Sequence, residues 1–301
     1  MEVGLAVDDY WEAVRTRWSR STVLANVDYA ASVPNHFKVA RNLNIFAPPR
    51  IPLAVTGMRG AGKTTLHKAL RGRLTIGQSE DRLESPKKEA EVILARTPSG
   101  KRRFQLVVIP GQKDSLPGQR AVNAHFKGGR FPLGVIHVVS WGYSKIWDAE
   151  SARSEIDALP VTAGESHIDR VRKYNLELEL GDFRLTRELL QDCWQDRNPA
   201  VWLIIAVAKV DLFRGDLSEA GRYYLPASNP NHDSEFAKEL RGFVNFLGEG
   251  LMRRLAVLPV SSLPERYAHG NSAIESSGDF DLSSRLAVNL SNTIGDFCGL
   301  G

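Results

Sequence analysis

Cysteine is nearly absent from this chain, with Cys193 and Cys298 the two present. Two thiols cannot build a disulfide framework, and their separation gives no metal-ligand spacing, so reduced thiols in the core or at the surface are expected. Long apolar runs are also lacking; a membrane-spanning helix needs about 20 predominantly apolar residues. The chain opens Met1-Glu2-Val3-Gly4, with no basic segment leading into an apolar one, so no secretory signal is expected. Together these features give the expectation of a cytoplasmic protein without a membrane span. Strong charge imbalance is missing too: 39 basic residues against 35 acidic ones leave a net charge of +4. No dense Lys/Arg block and no aromatic–basic ladder stands out, so nucleic acid is not indicated as a partner. Neither a Ser/His/Asp order, a His/Cys cluster, an internal repeat nor a low-complexity tract rises above background.

The 301 residues, 43% of them hydrophobic, are ample for a buried core. Residues 1–48 read as a helical N-terminal extension. Val7, Tyr10, Trp11, Val14 and Trp18 recur at helical spacing and are expected to pack on the rest of the chain or on a partner. Pro34, Pro48 and Pro49 punctuate the exit from it. From residue 51 short apolar runs alternate with helical segments. Strands are expected at 51–56, 90–96, 103–109, 133–140, 201–208 and 255–261, with helices at 63–70 and around 235–246. The turn chemistry of Thr97-Pro98-Ser99-Gly100 makes the second and third strands an antiparallel pair. Helical spacers between the others argue for parallel strands. The expected fold is three-layer, doubly wound α/β: a mostly parallel six-stranded sheet with one antiparallel edge strand, spanning residues 49–301 with a long insert at about 143–199.

Residues 57–64, Gly57-Met58-Arg59-Gly60-Ala61-Gly62-Lys63-Thr64, fit the phosphate-loop pattern G-x-x-x-x-G-K-[ST] in full. Successive inward-turned N–H groups form an anion nest, which needs glycine where a side chain would block the approach. The positive end of the following helix faces the same phosphates. In this chemistry the lysine, here Lys63, reaches the β- and γ-phosphates, and the hydroxyl of Thr64 ligates Mg²⁺. Thr65 follows in the first turn and joins the candidate nucleotide-binding residues. The pattern sits between an apolar strand and a helix, the context that supports it.

Further landmarks fall at the ends of later strands. The third strand runs into Pro110-Gly111-Gln112, the fifth into Ala208-Lys209-Val210-Asp211, and the sixth into Ser261-Ser262. In this order of landmarks, over about residues 51–262, the chain resembles the Ras-like small GTPases and their translation-factor relatives within the P-loop GTPase superfamily. The resemblance implies a switch protein that binds GTP or GDP with Mg²⁺ and hydrolyses GTP under partner control. It gives Gln112 the role of orienting the attacking water and Gly111 that of sensing the γ-phosphate. Lys209 and Asp211 match the base-recognition lysine and aspartate, and Ser261 and Ser262 match the serine loop that closes over the base. A carboxylate at Asp211 would accept the two N–H groups of the guanine edge, which adenine does not offer. For the second Mg²⁺ ligand Ser85 is the candidate, with Thr75 and Ser79 as fallbacks.

The match departs from the family at three places. Val108 stands where an aspartate would hold a Mg²⁺-bound water, Ala208 where an asparagine braces the phosphate loop, and Leu263 where the serine loop carries a lysine. Arg59 occupies a position usually filled by a small residue; it is either a solvated side chain or a catalytic contact to the γ-phosphate. Two alternatives therefore stay open: a hydrolysis-poor GTP-binding scaffold, and a P-loop signalling ATPase, although neither 107–110 nor 138–141 supplies the acidic strand end an ATPase needs. Protein partners are expected at the switch regions, the N-terminal extension or the insert.

Overall fold

In a computed structural model the described residues are 3–24, 37–39, 50–70, 89–97, 100–111, 121–127, 131–146, 149–194, 201–248, 252–261, 265–277 and 279–298. Among them lies a seven-stranded sheet formed by β1 (Phe37–Val39), β2 (Arg50–Thr56), β3 (Glu89–Thr97), β4 (Gly100–Val108), β5 (Gly134–Val139), β6 (Val201–Val207) and β7 (Met252–Pro259). The spatial order is β1-β3-β4-β2-β5-β6-β7. β4, β2, β5, β6 and β7 run parallel, whereas β3 is antiparallel to β4 and β1 antiparallel to β3. The fold is thus α/β with a mostly parallel sheet. β3 is not the edge, however: β1 pairs outside it through Phe37↔Ala95 to Val39↔Ile93. Three residues are too few to give a period-two signal, so a strand inside the expected helical extension escaped the pattern. A short hairpin, β8 (Tyr267–His269) and β9 (Ser272–Ile274), follows β7.

Helices cover both faces of the sheet. They are α1 (Val3–Leu24), α2 (Lys63–Leu70), α3 (Ala149–Ala158), α4 (His167–Trp194), α5 (Leu217–Tyr224), α6 (Glu235–Leu247) and α7 (Phe280–Cys298). Alternation along each strand sorts side chains between two clusters. Val135, Leu203, Ile205, Val207 and Val257 join residues of α1 and α3 to α6 on one face. Val55, Leu106, Ile136, Ile204 and Leu258 join α2 and α7 on the other. Being buried on both faces, β5 and β6 read as continuous apolar runs, as parallel strands between helix layers do. The sequence stripe on α1 is integrated with this core: Trp11, Val14 and Trp18 are buried within the first cluster. Arg15 donates to the Pro226 carbonyl at 3.1 Å, and Asn289 of α7 donates to Ser21 at 2.6 Å. α1 lies along β7, the last strand of the sheet, where a covered edge is protected from pairing with another chain. No helix among the described residues is long and apolar enough to cross a membrane.

The chain order explains where a ligand site would lie. β2 is flanked by β4 on one side and β5 on the other; the chain passes from β2 to β3 on the β4 side, and from β4 to β5 on the opposite side, so the direction of winding reverses at β2. The crevice beyond the carboxyl ends at such a reversal is where open parallel sheets bind ligands.

Candidate functional site

The phosphate-loop sequence occupies this crevice, between the end of β2 and the start of α2. Gly57, Gly60 and Gly62 have φ of 131°, 83° and 104°, a region that side-chain-bearing residues avoid. Space is limiting as well: a Cβ on Gly57 would stand 2.2 Å from the Val138 carbonyl oxygen, and one on Gly60 2.4 Å from that of Lys145. α2 is anchored from its first turn by Leu66 N–H donating to the Gly62 carbonyl at 2.8 Å. Lys63 is buried, and its Nζ bends back to donate to the carbonyls of Gly57 at 2.7 Å and Met58 at 2.8 Å. Ala61 is buried, whereas Thr64, Thr65 and Arg59 are half-buried.

Gly111, beyond β4, lies directly against this loop. A Cβ there would come within 2.3 Å of the Arg59 amide nitrogen, so the backbones approach as closely as only glycine permits. Gln112, Ser262, Ser85, Thr75, Ser79 and Leu263 lie outside the described residues. Val108 is buried in the apolar cluster with Ala61 and Leu66. The methyl group of Ala208 faces Gly62, 3.9 Å from where a Cβ on that glycine would stand. It reaches the loop but carries no polar group to brace it.

Lys209 adopts a left-handed conformation, φ 63°, before a short 3₁₀ turn, Val210–Leu212. Its Nζ donates to the Tyr143 carbonyl and stands 5.9 Å from the Tyr267 ring centroid. Asp211 is buried, with Oδ1 accepting from Ser261 Oγ at 2.9 Å and Oδ2 from Ser276 Oγ at 2.8 Å. The Glu265 amide also approaches Oδ2, at 3.4 Å, and the Ser277 amide donates to the Asp211 backbone carbonyl at 3.0 Å. The residues flanking the β8–β9 hairpin therefore wrap the carboxylate. Ser261 in turn accepts from Ser283 at 2.9 Å.

The structure brings residues 57–65, Gly111, Lys209, Asp211 and Ser261 to the carboxyl edge of the parallel strands. Sequence reasoning missed what connects them. Segment 140–146, leaving β5, touches the phosphate loop through Lys145 N–H donating to the Gly60 carbonyl at 3.3 Å, and holds Lys209 through Tyr143. It turns at Trp141, φ 48°, and Gly142, φ 81°. Around it Tyr143 stacks on Phe213, and Tyr267 meets Tyr143 edge to face. Arg172 lays its guanidinium 4.1 Å from the Trp141 ring centroid. A signal for this support did exist. Asn175, Glu179, Asp182 and Thr186 continue at helical spacing the buried stripe of Ile168, Val171, Phe183 and Leu190. Polar residues in an apolar stripe mark a network. The hairpin carried no comparable signal.

His137, inside β5, is buried between Thr56, whose Oγ1 is 3.0 Å from Nδ1, and Asp182, whose Oδ2 is 4.0 Å from Nε2. This row ties the end of β2 to α4. No group of three or more metal-binding side chains occurs among the described residues.

Comparison with protein-family models and with curated proteins finds no match for this chain.

Proposed function

We propose that the chain binds the phosphates of a nucleotide at residues 57–64, that the base is guanine, and that it acts as a slow GTP-hydrolysing switch. The observation that carries this reading is the loop itself. Three positive-φ glycines and a buried lysine sit at the reversal point of a parallel sheet, immediately before a helix. Inward N–H groups, Lys63 and the helix terminus together supply the positive field a polyphosphate requires. Thr64 would hold a Mg²⁺ ion, which would supply countercharge to the phosphates. The donor set for it is partial: Thr64 is well placed in the first turn of α2, but the carboxylate position is taken by buried Val108. Gln112 would orient the attacking water, and Arg59 would lie beside the γ-phosphate.

Guanine is supported by Asp211, paired with Ser261 at the ends of adjacent strands. A second reading, a GTP-binding scaffold with little turnover, is favoured by Val108 and Ala208, which offer neither the metal nor the loop a polar group at those two positions. Titration of fluorescent GDP and ADP, with and without Mg²⁺, tests the base and the metal together. Lys63→Ala should abolish GDP binding, and ADP binding without GDP binding would reverse the assignment of the base. A single-turnover measurement on the wild type and Gln112→Ala separates switch from scaffold.

A further inference from the structure

A fully buried carboxylate lies in α4, outside the residues proposed to touch nucleotide. Glu179 is 1% exposed. Its Oε1 accepts from the Ser140 amide at 3.1 Å, Ser140 Oγ at 2.9 Å, the Gly142 amide at 3.2 Å and Ser144 Oγ at 3.3 Å. Its Oε2 accepts from Tyr224 Oη at 2.6 Å, which itself accepts from the Trp141 amide at 3.0 Å. One turn earlier Asn175 Nδ2 donates to the carbonyls of Gly142 at 2.7 Å and Ser144 at 3.0 Å. The amides of Ser140, Trp141 and Gly142, the hydroxyls of Ser140 and Ser144 and the carbonyls of Gly142 and Ser144 thus all end on two side chains of α4 or on Tyr224.

Removing a carboxylate from water costs several kcal/mol, and an apolar residue of similar volume often fills such a site as well or better. Burial accordingly pushes the Glu179 carboxyl above its ordinary range, while hydrogen bonds from Tyr224, Ser140 and Gly142 pull it back. The segment it holds is unusual. Trp141 carries a side chain at positive φ, a conformation that persists only where the surroundings over-determine it. A Cβ on Gly142 would meet the Arg172 carbonyl oxygen at 2.7 Å, so α4 packs tightly against the turn.

The far end of the segment is where this restraint acts. The Lys145 backbone covers Gly60, and the Tyr143 carbonyl fixes Lys209 Nζ. We infer that Glu179 is a positioning residue for the nucleotide site: through segment 140–146 it sets the phosphate loop at Gly60 and the lysine beside the base. The inference rests on the phosphate-loop reading above. It makes α4, whose Leu178 and Leu185 are exposed, a mechanical part of the site.

The test compares Glu179→Leu, Glu179→Gln and a control, Leu190→Ala, a buried position later in the same helix. Binding of fluorescent GDP, and its displacement by inorganic tripolyphosphate, are measured well below the melting temperature of each protein. Glu179→Leu should weaken both ligands by about tenfold or more, the scale of a misplaced binding group. Glu179→Gln, which keeps one acceptor, should weaken them by about fivefold, the worth of one hydrogen bond. Leu190→Ala should melt at a lower temperature and bind as the wild type does. If Glu179→Leu fails to fold, the glutamine variant decides. Wild-type affinity in a folded Glu179 variant that melts early overturns the inference and leaves the phosphate-loop reading intact. A wild-type protein that binds neither GDP nor tripolyphosphate removes both.

Discussion

Replacing Gly60 by alanine perturbs the phosphate loop without touching its lysine or its threonine. Gly60 has φ 83°, so an alanine there adopts the left-handed region, at about 1–2 kcal/mol. Its Cβ would also stand 2.4 Å from the Lys145 carbonyl oxygen and 2.6 Å from the Lys145 amide nitrogen. Those are backbone atoms held by segment 140–146, so one of two packed loops must move, at a further cost of about 1–3 kcal/mol. The combined loss is about 2–5 kcal/mol. With an unfolding entropy of about 0.6 kcal/mol/K for 301 residues, the melting temperature should fall by about 3–8 °C. Gly164→Ala is the matching control. Gly164 has φ 82° with nothing within 4 Å of an added Cβ, so it carries the backbone term alone, a drop of about 2–3 °C. Thermal melts with and without GDP and Mg²⁺, together with GDP titration, separate the two. Gly60→Ala should lose at least about tenfold in affinity, since on the proposed function the loop it displaces holds the phosphates. Gly164→Ala should bind normally. Equal melting temperatures for the two variants, or undiminished GDP binding by Gly60→Ala, would refute the account of why a glycine stands there.

Asp211→Asn should weaken GDP by about tenfold or more, because it replaces a charged acceptor by a neutral amide. Tripolyphosphate binding should be unchanged, and equal losses for both ligands would remove Asp211 from base recognition. Alkaline pH should destabilise the fold. Burial pushes the pKa of Tyr143, Tyr223 and Tyr224 above the ordinary range, that of Tyr267 up to about 12 and that of the Cys298 thiol up to about 12. Folded groups with raised values contribute stability in full below their unfolded values, and lose it as pH rises from there through the folded values. Melts should therefore show a decline above about pH 9, steepening toward 12; a flat profile over that window would contradict the burial of these groups. Acid acts on another contact. His269 is held below its ordinary range by burial and by His167, whose Nε2 lies 3.0 Å from His269 Nδ1. A lowered histidine contributes stability above its unfolded value that is lost as pH falls through the folded value. Hydrogen exchange in β8 and β9 should accelerate, after correction for intrinsic rates, as pH falls below about 6.5, and the effect should vanish in His269→Gln.

How much of this was legible in advance differs between sheet and site. The parallel strands announced themselves because burial on both faces forces continuous apolar runs, as in Val201–Val207. The glycine turn at 57–64 was legible because its geometry is local, carried by eight consecutive residues. β1 was not, since a three-residue strand exists through its partner, and the pairing of Phe37 with Ala95 is a tertiary fact. Glu179 was half legible. Its place in an apolar stripe could be read from helical spacing, but the 39 residues separating it from Ser140 hide the acceptor from its donors. The cover over Asp211 was illegible altogether, because Ser276 looks like any loop serine until the hairpin returns it to β6.

The same geometry separates binding from turnover. The loop is held by contacts that do not involve nucleotide: Lys145 over Gly60, Gly111 against Arg59, and the apolar cluster of Ala61, Leu66 and Val108 beneath it. Val108 belongs to that cluster, so a valine there strengthens the packing under the loop while removing an anchor for metal. Ala208 fits in the same way, filling the space beside Gly62 and offering no hydrogen bond. Asp211 is likewise satisfied by protein donors before any base arrives, and a base N–H would have to share or displace the Ser276 hydroxyl. A loop held by protein contacts of its own costs little to order on binding, which favours affinity. Hydrolysis gains only from contacts stronger in the transition state than in the ground state. By that criterion, on the proposed function, Val108 and Ala208 favour holding nucleotide over splitting it, and turnover would rest on Gln112 and Arg59.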